Sequence, residues 1–250
     1  MPIKQIRNTQ PLVHCITNYV VANFTANGLL AIGASPVMAD EIAEVEEMVT
    51  ISNALLINIG TINTRTKEAM LVAGKKANGL GSPVVLDPVG VGATTFRQQV
   101  VKELLENVRF DLLRCNTGEL ATIAGVSWKA KGVDSGEGEM DIAVVAKHVA
   151  KEWSCIVLVT GASDYVTDGE DEFWVAGGHV RMTEVTGTGC LLSAICAAVL
   201  TIKGEALLNL RDVLQVYKNV SEQAAQSPFL GSFQIEVLNS LHQLSRGEDN

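Results

Sequence analysis

Three short runs in this chain, Ala54–Ile59, Val84–Leu86 and Ile156–Val159, are apolar at nearly every position instead of at every second one. A strand with that pattern is buried on both faces, which happens when helices cover a parallel sheet on each side. Helical patterns stand between and around the runs, at Val20–Leu30, Asn63–Asn78, Phe96–Val108 and Asp141–Trp153. The alternation predicts an α/β fold of three layers, with a mostly parallel central sheet and helices on both faces. Leu12–Ile16 is another short apolar run, and a further strand is expected at Leu112–Arg114, leading to a short helix at Glu119–Ala124. Asp168-Gly169 lies between two β-rich runs and predicts a hairpin over Asp164–Ala176. The mixed run Val180–Val185 reads as one more strand, and mostly helix follows it. No Pro-, Ser- or charge-rich break divides the chain, and the glycine-rich stretch Gly132–Gly138 is too short for an interdomain linker. Residues 1–250 are therefore expected to form a single domain.

Composition narrows the function. Hydrophobic residues make up 47% and charged residues 19%, as in a compact globular protein. A net charge of -9 argues against generic binding to nucleic acid or to an anionic membrane. No run approaches the roughly 20 apolar residues that span a bilayer, and no apolar stretch follows Lys4 and Arg7 as in a secretory signal. The five cysteines, Cys15, Cys115, Cys155, Cys190 and Cys196, are odd in number and lack zinc-binding spacing. Four lie in apolar surroundings, so free buried thiols and a cytoplasmic location are expected.

In an open parallel sheet the ligand lies beyond the carboxyl ends of the strands, and several expected strand exits are polar. One delivers Asp87-Pro88-Val89-Gly90, another Arg114, Asn116 and Glu119, a third Thr160-Gly161. Asp87 and Glu119 have the chemistry to hold Mg²⁺, directly or through its waters. Arg114 offers a planar fork suited to phosphate, and Thr160 a hydroxyl. Each also has a plainer reading. Asp87 before proline caps a turn, Glu119 three residues after Asn116 completes a capping box, and Thr160 ends a strand. Asn18 has the commoner reading of a helix N-cap; the functional alternative is that its segment lines a small polar-aromatic pocket in which Met38 is an adaptable wall. Met38 read alone is core packing.

The stretch Glu184-Val185-Thr186-Gly187-Thr188-Gly189-Cys190 joins the Val180–Val185 run to an apolar helix. Two glycines allow a sharp turn and a close approach. The first amides of the helix point outward at the positive end of its dipole, which suits an anion. Cys190 sits in that first turn, where the same field favours a thiolate. The pattern is equally that of a glycine turn followed by a small core residue.

Taken together, several segments resemble the hydroxyethylthiazole kinase family. They are Pro11–Asn18, Ala22–Gly28, Gly33–Met38, Asn58-Ile-Gly60, Asp87-Pro-Val-Gly90, Lys131-Gly-Val-Asp134, Gly187-Thr-Gly-Cys190 and Gly231–Glu236, in the same order along nearly the whole chain. The resemblance implies a ribokinase-like fold. It implies phosphorylation of the primary alcohol of 4-methyl-5-(2-hydroxyethyl)thiazole by ATP and Mg²⁺, in thiamin salvage. It also implies a homotrimer with substrate pockets at the subunit interfaces. Carried over, Cys190 is the catalytic residue near the substrate hydroxyl, and Gly187, Thr188 and Gly189 form an anion hole. Asp87 and Glu119 become the metal carboxylates, Arg114 and Thr160 touch ATP, and Asn18, Met38 and Gly187 meet the thiazole. Two rival readings are a hydroxymethylpyrimidine kinase, which shares the glycine turn, and a thiazole-binding protein without activity. Cys115 is the one departure, standing where the family pattern has glycine. In a turn of positive φ that side chain costs about 1 kcal/mol and crowds the nucleotide.

Overall fold

The computed structural model describes residues 2–127, 129–131, 135–137 and 140–247. The strands are β1 (Leu12–Ile16), β2 (Ser35–Val37), β3 (Ala54–Asn58), β4 (Val84–Asp87), β5 (Leu112–Asn116), β6 (Lys129–Lys131), β7 (Ser135–Glu137), β8 (Ile156–Thr160), β9 (Asp164–Thr167) and β10 (Glu172–Val175). The α-helices are α1 (Pro2–Thr9), α2 (Ala22–Ala31), α3 (Val45–Ile51), α4 (Thr64–Leu80), α5 (Thr95–Asn107), α6 (Thr117–Ile123), α7 (Ile142–Trp153), α8 (Thr188–Val199), α9 (Ala206–Ala224) and α10 (Leu230–Arg246). Eight strands form one sheet in the order β10-β9-β8-β5-β4-β3-β1-β2. Pairing is parallel from β2 through β8, and β9 and β10 add an antiparallel edge.

The apolar runs bury both faces because successive side chains enter different cores. Leu56, Val85, Leu112 and Leu158 pack with α1, α2, α8, α9 and α10. Leu55, Ile57, Val84, Leu86, Leu113 and Val157 pack with α3, α4, α5 and α7. A polar residue at either parity would be buried without a partner, so the runs are interrupted only where a strand leaves the sheet. The helices end where the sequence provides for it. Asn63 and Thr66 form a capping box at the start of α4, whose far end is closed by Gly81 at φ 70°. Asp141 caps α7, and the Asp164–Ala176 segment forms the expected hairpin of β9 and β10.

One expected strand does not form. Val180–Thr183 is a 3-10 turn, not part of a strand. Gly177 and Gly178 at φ 103° and 87° steer the chain away from the edge strand, and Arg181 donates to the carbonyls of Ala225 and Ser227 after α9. Within the Gly132–Gly138 loop, Ser135–Glu137 pairs with Lys129–Lys131 as a two-stranded ribbon. Gly132–Asp134 and Gly138 lie outside the described residues, and with them all of the Lys131–Asp134 segment except Lys131. Among the described residues no helix is long and apolar enough to cross a membrane.

Candidate active site

Strand order brings the exits of β3, β4, β5 and β8 side by side, because Asn58 pairs with Asp87 and Asn116 with Thr160 in the parallel ladders. Asp87 is the centre of the cluster and is fully buried. Its Oδ2 accepts hydrogen bonds from Asn58 Nδ2 at 2.7 Å and Ser193 Oγ at 2.8 Å. Its Oδ1 faces Arg114 Nη1 at 3.7 Å and has no hydrogen-bond partner in the protein. Burial raises the Asp87 pKa against the pull of Arg114 and of the two donors. Arg114 also donates to the Thr160 hydroxyl, and its Nε is buried without a partner.

Glu119 does complete the capping box with Asn116, but that is half of its role. Oε2 accepts from the Asn116 amide and Oε1 from the Gly90 amide, both at 2.8 Å. The side chain therefore ties the exit of β5 to the exit of β4 and is held beside Asp87. Burial, then the nearby Asp87 charge, raises its pKa to about 7. The folded protein thus holds this proton more tightly than the unfolded chain, whose value is near 4.5. The stabilisation is complete below about pH 4.5 and lost as the pH passes about 7. Its size, at about 1.4 kcal/mol per unit, is about 3 kcal/mol. Metal-free protein should accordingly lose stability between pH 5 and 7, and Glu119→Gln should flatten that slope in denaturant titrations.

The glycine turn sits across from these carboxylates. Gly187 is the N-cap of α8 with φ 91°, and a Cβ there would come within 2.6 Å of Val21. Gly189 lies against the guanidinium, where a Cβ would stand 2.7 Å from Arg114 Nη1. Thr188 is turned elsewhere: its hydroxyl donates to the Met182 carbonyl at 2.7 Å, and its own carbonyl accepts from Tyr217. It shapes the turn and offers the site only its amide. Cys190 is half-buried and free. Asn18 is not a helix cap, since α2 starts after Val21. Its Nδ2 donates to Asn58 Oδ1 at 3.0 Å and to Cys190 Sγ at 3.5 Å.

The expected thiolate is not found. Burial, followed by the Asp87 charge, pushes the Cys190 thiol up to about 12. That rise of three units is worth about 4 kcal/mol, whereas a helix N-terminus typically returns 0.3–1 kcal/mol. Burial wins, and the resting residue is a thiol. Cys115 is corrected as well. It lies in β5, opposite Val159, and packs in the core on the α4 and α5 side, on the face opposite Arg114. The described non-glycine residues with positive φ are Gln10 and Ser154, so Cys115 carries no turn strain.

Asn58 and Ser193 are the partners that sequence reasoning missed. Asn58 carries the same strand-exit signal as Asp87, and Ser193 lies three residues after Cys190 on one face of α8. Arg97, also missed, binds the carbonyls of Ile59, Gly60 and Val89 and so locks the exits of β3 and β4 together. Beside Asn58 opens a cavity of about 240 Å³, with Met38, Ala39, Cys15, Thr17 and Tyr19 among its walls. A larger recess of about 410 Å³, around Val108, Arg109 and Trp153, lies before the amino end of β5, away from this cluster.

These residues fit a nucleotide and a hard cation. Asp87 Oδ1 and Arg114 Nε are buried, oppositely charged in character and without hydrogen-bond partners in the protein, as suits a ligand bringing both a cation and phosphate oxygens. Among the described residues no three His, Cys, Asp or Glu form a metal cage. Mg²⁺ needs none, because it keeps several waters and takes one or two carboxylates with phosphate.

Comparison with known proteins follows the same line. The model of the hydroxyethylthiazole kinase family matches residues 3–247. The chain is 58% identical over 247 residues to the hydroxyethylthiazole kinase of Lysinibacillus sphaericus (strain C3-41), covering 98% of this chain and 97% of that one. The solved structure of the hydroxyethylthiazole kinase protein from Pyrococcus horikoshii OT3 superposes with a TM-score of 0.88 at 40% identity, covering 97% of this chain and 91% of that one. A ribokinase-like superfamily protein from Enterococcus faecalis V583 gives 0.69 at 9% identity, covering 96% and 89%, a likeness of fold alone. The chain belongs to the hydroxyethylthiazole kinase family.

Proposed function

We propose that this protein phosphorylates the primary alcohol of 4-methyl-5-(2-hydroxyethyl)thiazole with ATP and Mg²⁺, a step of thiamin biosynthesis, with the chain acting as one kinase domain. The observation that carries the reading is the position of Cys190. It stands at the amino end of α8, linked through Asn18 to the cavity wall at Asn58 and close to the Asp87 charge. A small alcohol in the cavity and a nucleotide over Arg114 would meet there. The identity to relatives named hydroxyethylthiazole kinase supports the substrate.

In this reading Asn18 and Met38 orient the thiazole, while Arg114 and Thr160 hold nucleotide phosphate. Asp87, with Glu119 through water, would hold Mg²⁺, which when bound neutralises phosphate charge. The amides of Gly187, Thr188, Gly189 and Cys190 face the transferring group and stabilise charge as it spreads over the equatorial oxygens. Cys190 orients the alcohol as a thiol, and the alcohol proton leaves late, to an oxygen of the transferring phosphoryl group, because a sulfur that still carries its own proton cannot take another. We also propose a cytoplasmic homotrimer. Tyr19, 81% exposed beside the cavity mouth, is the kind of apolar surface a neighbouring subunit would cover.

The test is ADP release with the thiazole alcohol, ATP and Mg²⁺, run beside hydroxymethylpyrimidine. Turnover on the thiazole and little on the pyrimidine is expected, and the reverse preference would overturn the substrate. Sedimentation should give the mass of three 26.7 kDa chains.

A further inference from the structure

His14 is a polar side chain in a place where an apolar one would pack without penalty. It is fully buried in β1, two strands from Asp87, and is not among the cavity walls. Its Nε2 lies 2.7 Å from the Ala39 carbonyl. A carbonyl only accepts, so Nε2 carries the proton and donates. Nδ1 is then an acceptor, buried with no partner, a condition that costs free energy. Something must offset it, and the bond to Ala39 is the contact that sets this histidine apart from a core leucine.

Ala39 belongs to a segment that needs holding. β2 ends at Val37, directly beside His14 in the parallel ladder, and residues 38–40 leave the sheet. Met38, Ala39 and Asp40 then wall the 240 Å³ cavity. Side chains fix this stretch from two sides. His14 takes the Ala39 carbonyl from beneath, and Arg65 of α4 takes the Asp40 carbonyl at 3.1 Å and its carboxylate at 3.0 Å. The Arg65 pair is half exposed and so contributes little rigidity. The buried bond is the stiffer of the two.

We infer that His14 is a positioning residue for substrate selection: by holding the Ala39 carbonyl it sets where the Met38 wall stands against the ring of the alcohol substrate. The inference rests on the proposed reading that this cavity takes the thiazole. It separates His14 from the phosphoryl-transfer machinery, because its effect is confined to one substrate.

Steady-state kinetics on His14→Phe, His14→Asn and His14→Gln test it, with Met38→Ala alongside. Phe keeps the bulk and removes the donor. Asn is too short to reach Ala39, and Gln places its amide near the position of Nε2. Phe and Asn are expected to raise KM for the thiazole about tenfold while kcat and KM for ATP stay within about twofold. Gln should restore KM to within about threefold of the wild type. If Phe does not fold, Asn against Gln makes the same comparison. Unchanged kinetics in Asn, or equal loss in Asn and Gln, overturns the positioning role. A Met38→Ala variant with an unchanged thiazole KM would overturn instead the reading that this cavity takes the thiazole.

Discussion

Asparagine in place of Asp87 is expected to lower kcat/KM by about a thousandfold or more and to lower the melting temperature as well. Asp87 does two jobs that an amide cannot do together. Its Oδ2 accepts from Asn58 and Ser193, while Oδ1 faces the Arg114 guanidinium. Asparagine has one accepting oxygen, so its amino group must point at a donor on one side or the other. Arg114 would keep its charge, buried, with Glu119 as the remaining nearby counter-charge. Breaking a buried pair in this way costs about 3–5 kcal/mol. Removing Ser193 by alanine deletes one neutral donor, worth about 1 kcal/mol, and should leave activity within about tenfold. Metal titrations of the rate separate structure from chemistry. If Asp87 is a metal carboxylate, the asparagine variant loses its Mg²⁺ saturation at any concentration that leaves the protein soluble. Normal saturation with a rate within tenfold of wild type would reduce Asp87 to a structural ion pair.

The sheet was legible because burial on two faces leaves a direct mark. The apolar runs beginning at Leu12 and Ile156 form the strands Leu12–Ile16 and Ile156–Thr160, since each alternate side chain has its own core to fill. The cluster at the strand exits was legible in part for the same topological reason, as a parallel sheet must gather Asp87, Arg114 and Thr160 at one end. What failed depended on contacts remote in sequence. Val180–Val185 reads as a strand by local pattern, yet Arg181 is claimed by carbonyls 44 and 46 positions away. Asn18 has the composition of a cap, and its partners, 40 and 172 positions away, decide otherwise. Cys115 sits in a motif where a turn is expected, but the ladder with β8 runs on to Asn116 and absorbs it. The state of Cys190 was misjudged because a local field is visible in sequence, whereas the depth of burial that outweighs it is not.

That correction changes what Cys190 variants should do. A thiol with a pKa of about 12 is ionised about once in ten thousand molecules at pH 8, against about a quarter for a free cysteine of pKa 8.5. In protein free of metal and nucleotide, alkylation of Cys190 by iodoacetamide at pH 8 should therefore run more than about a hundredfold slower than that of free cysteine. In the proposed mechanism a side chain so far from ionisation orients the alcohol, and it can take the alcohol proton only by passing its own S–H proton to an oxygen of the phosphoryl group as the new bond forms. Cys190→Ala leaves the Asn18 amide without its sulfur partner and the alcohol without a neighbour. Loss of about a hundredfold in kcat is expected, the lower end of what a positioned proton-transferring group contributes. Cys190→Asp should keep or raise the rate. Burial and the Asp87 charge would raise the new carboxyl's pKa above the ordinary carboxylate range, nearer the working pH, where a base is most effective. The sign of the pH dependence follows: the Asp variant should lose activity as the pH falls through that raised pKa, a limb the wild type lacks in the same range. An alanine variant as fast as wild type would remove Cys190 from proton transfer altogether and leave the amides of the α8 turn and the Arg114 fork to carry the reaction.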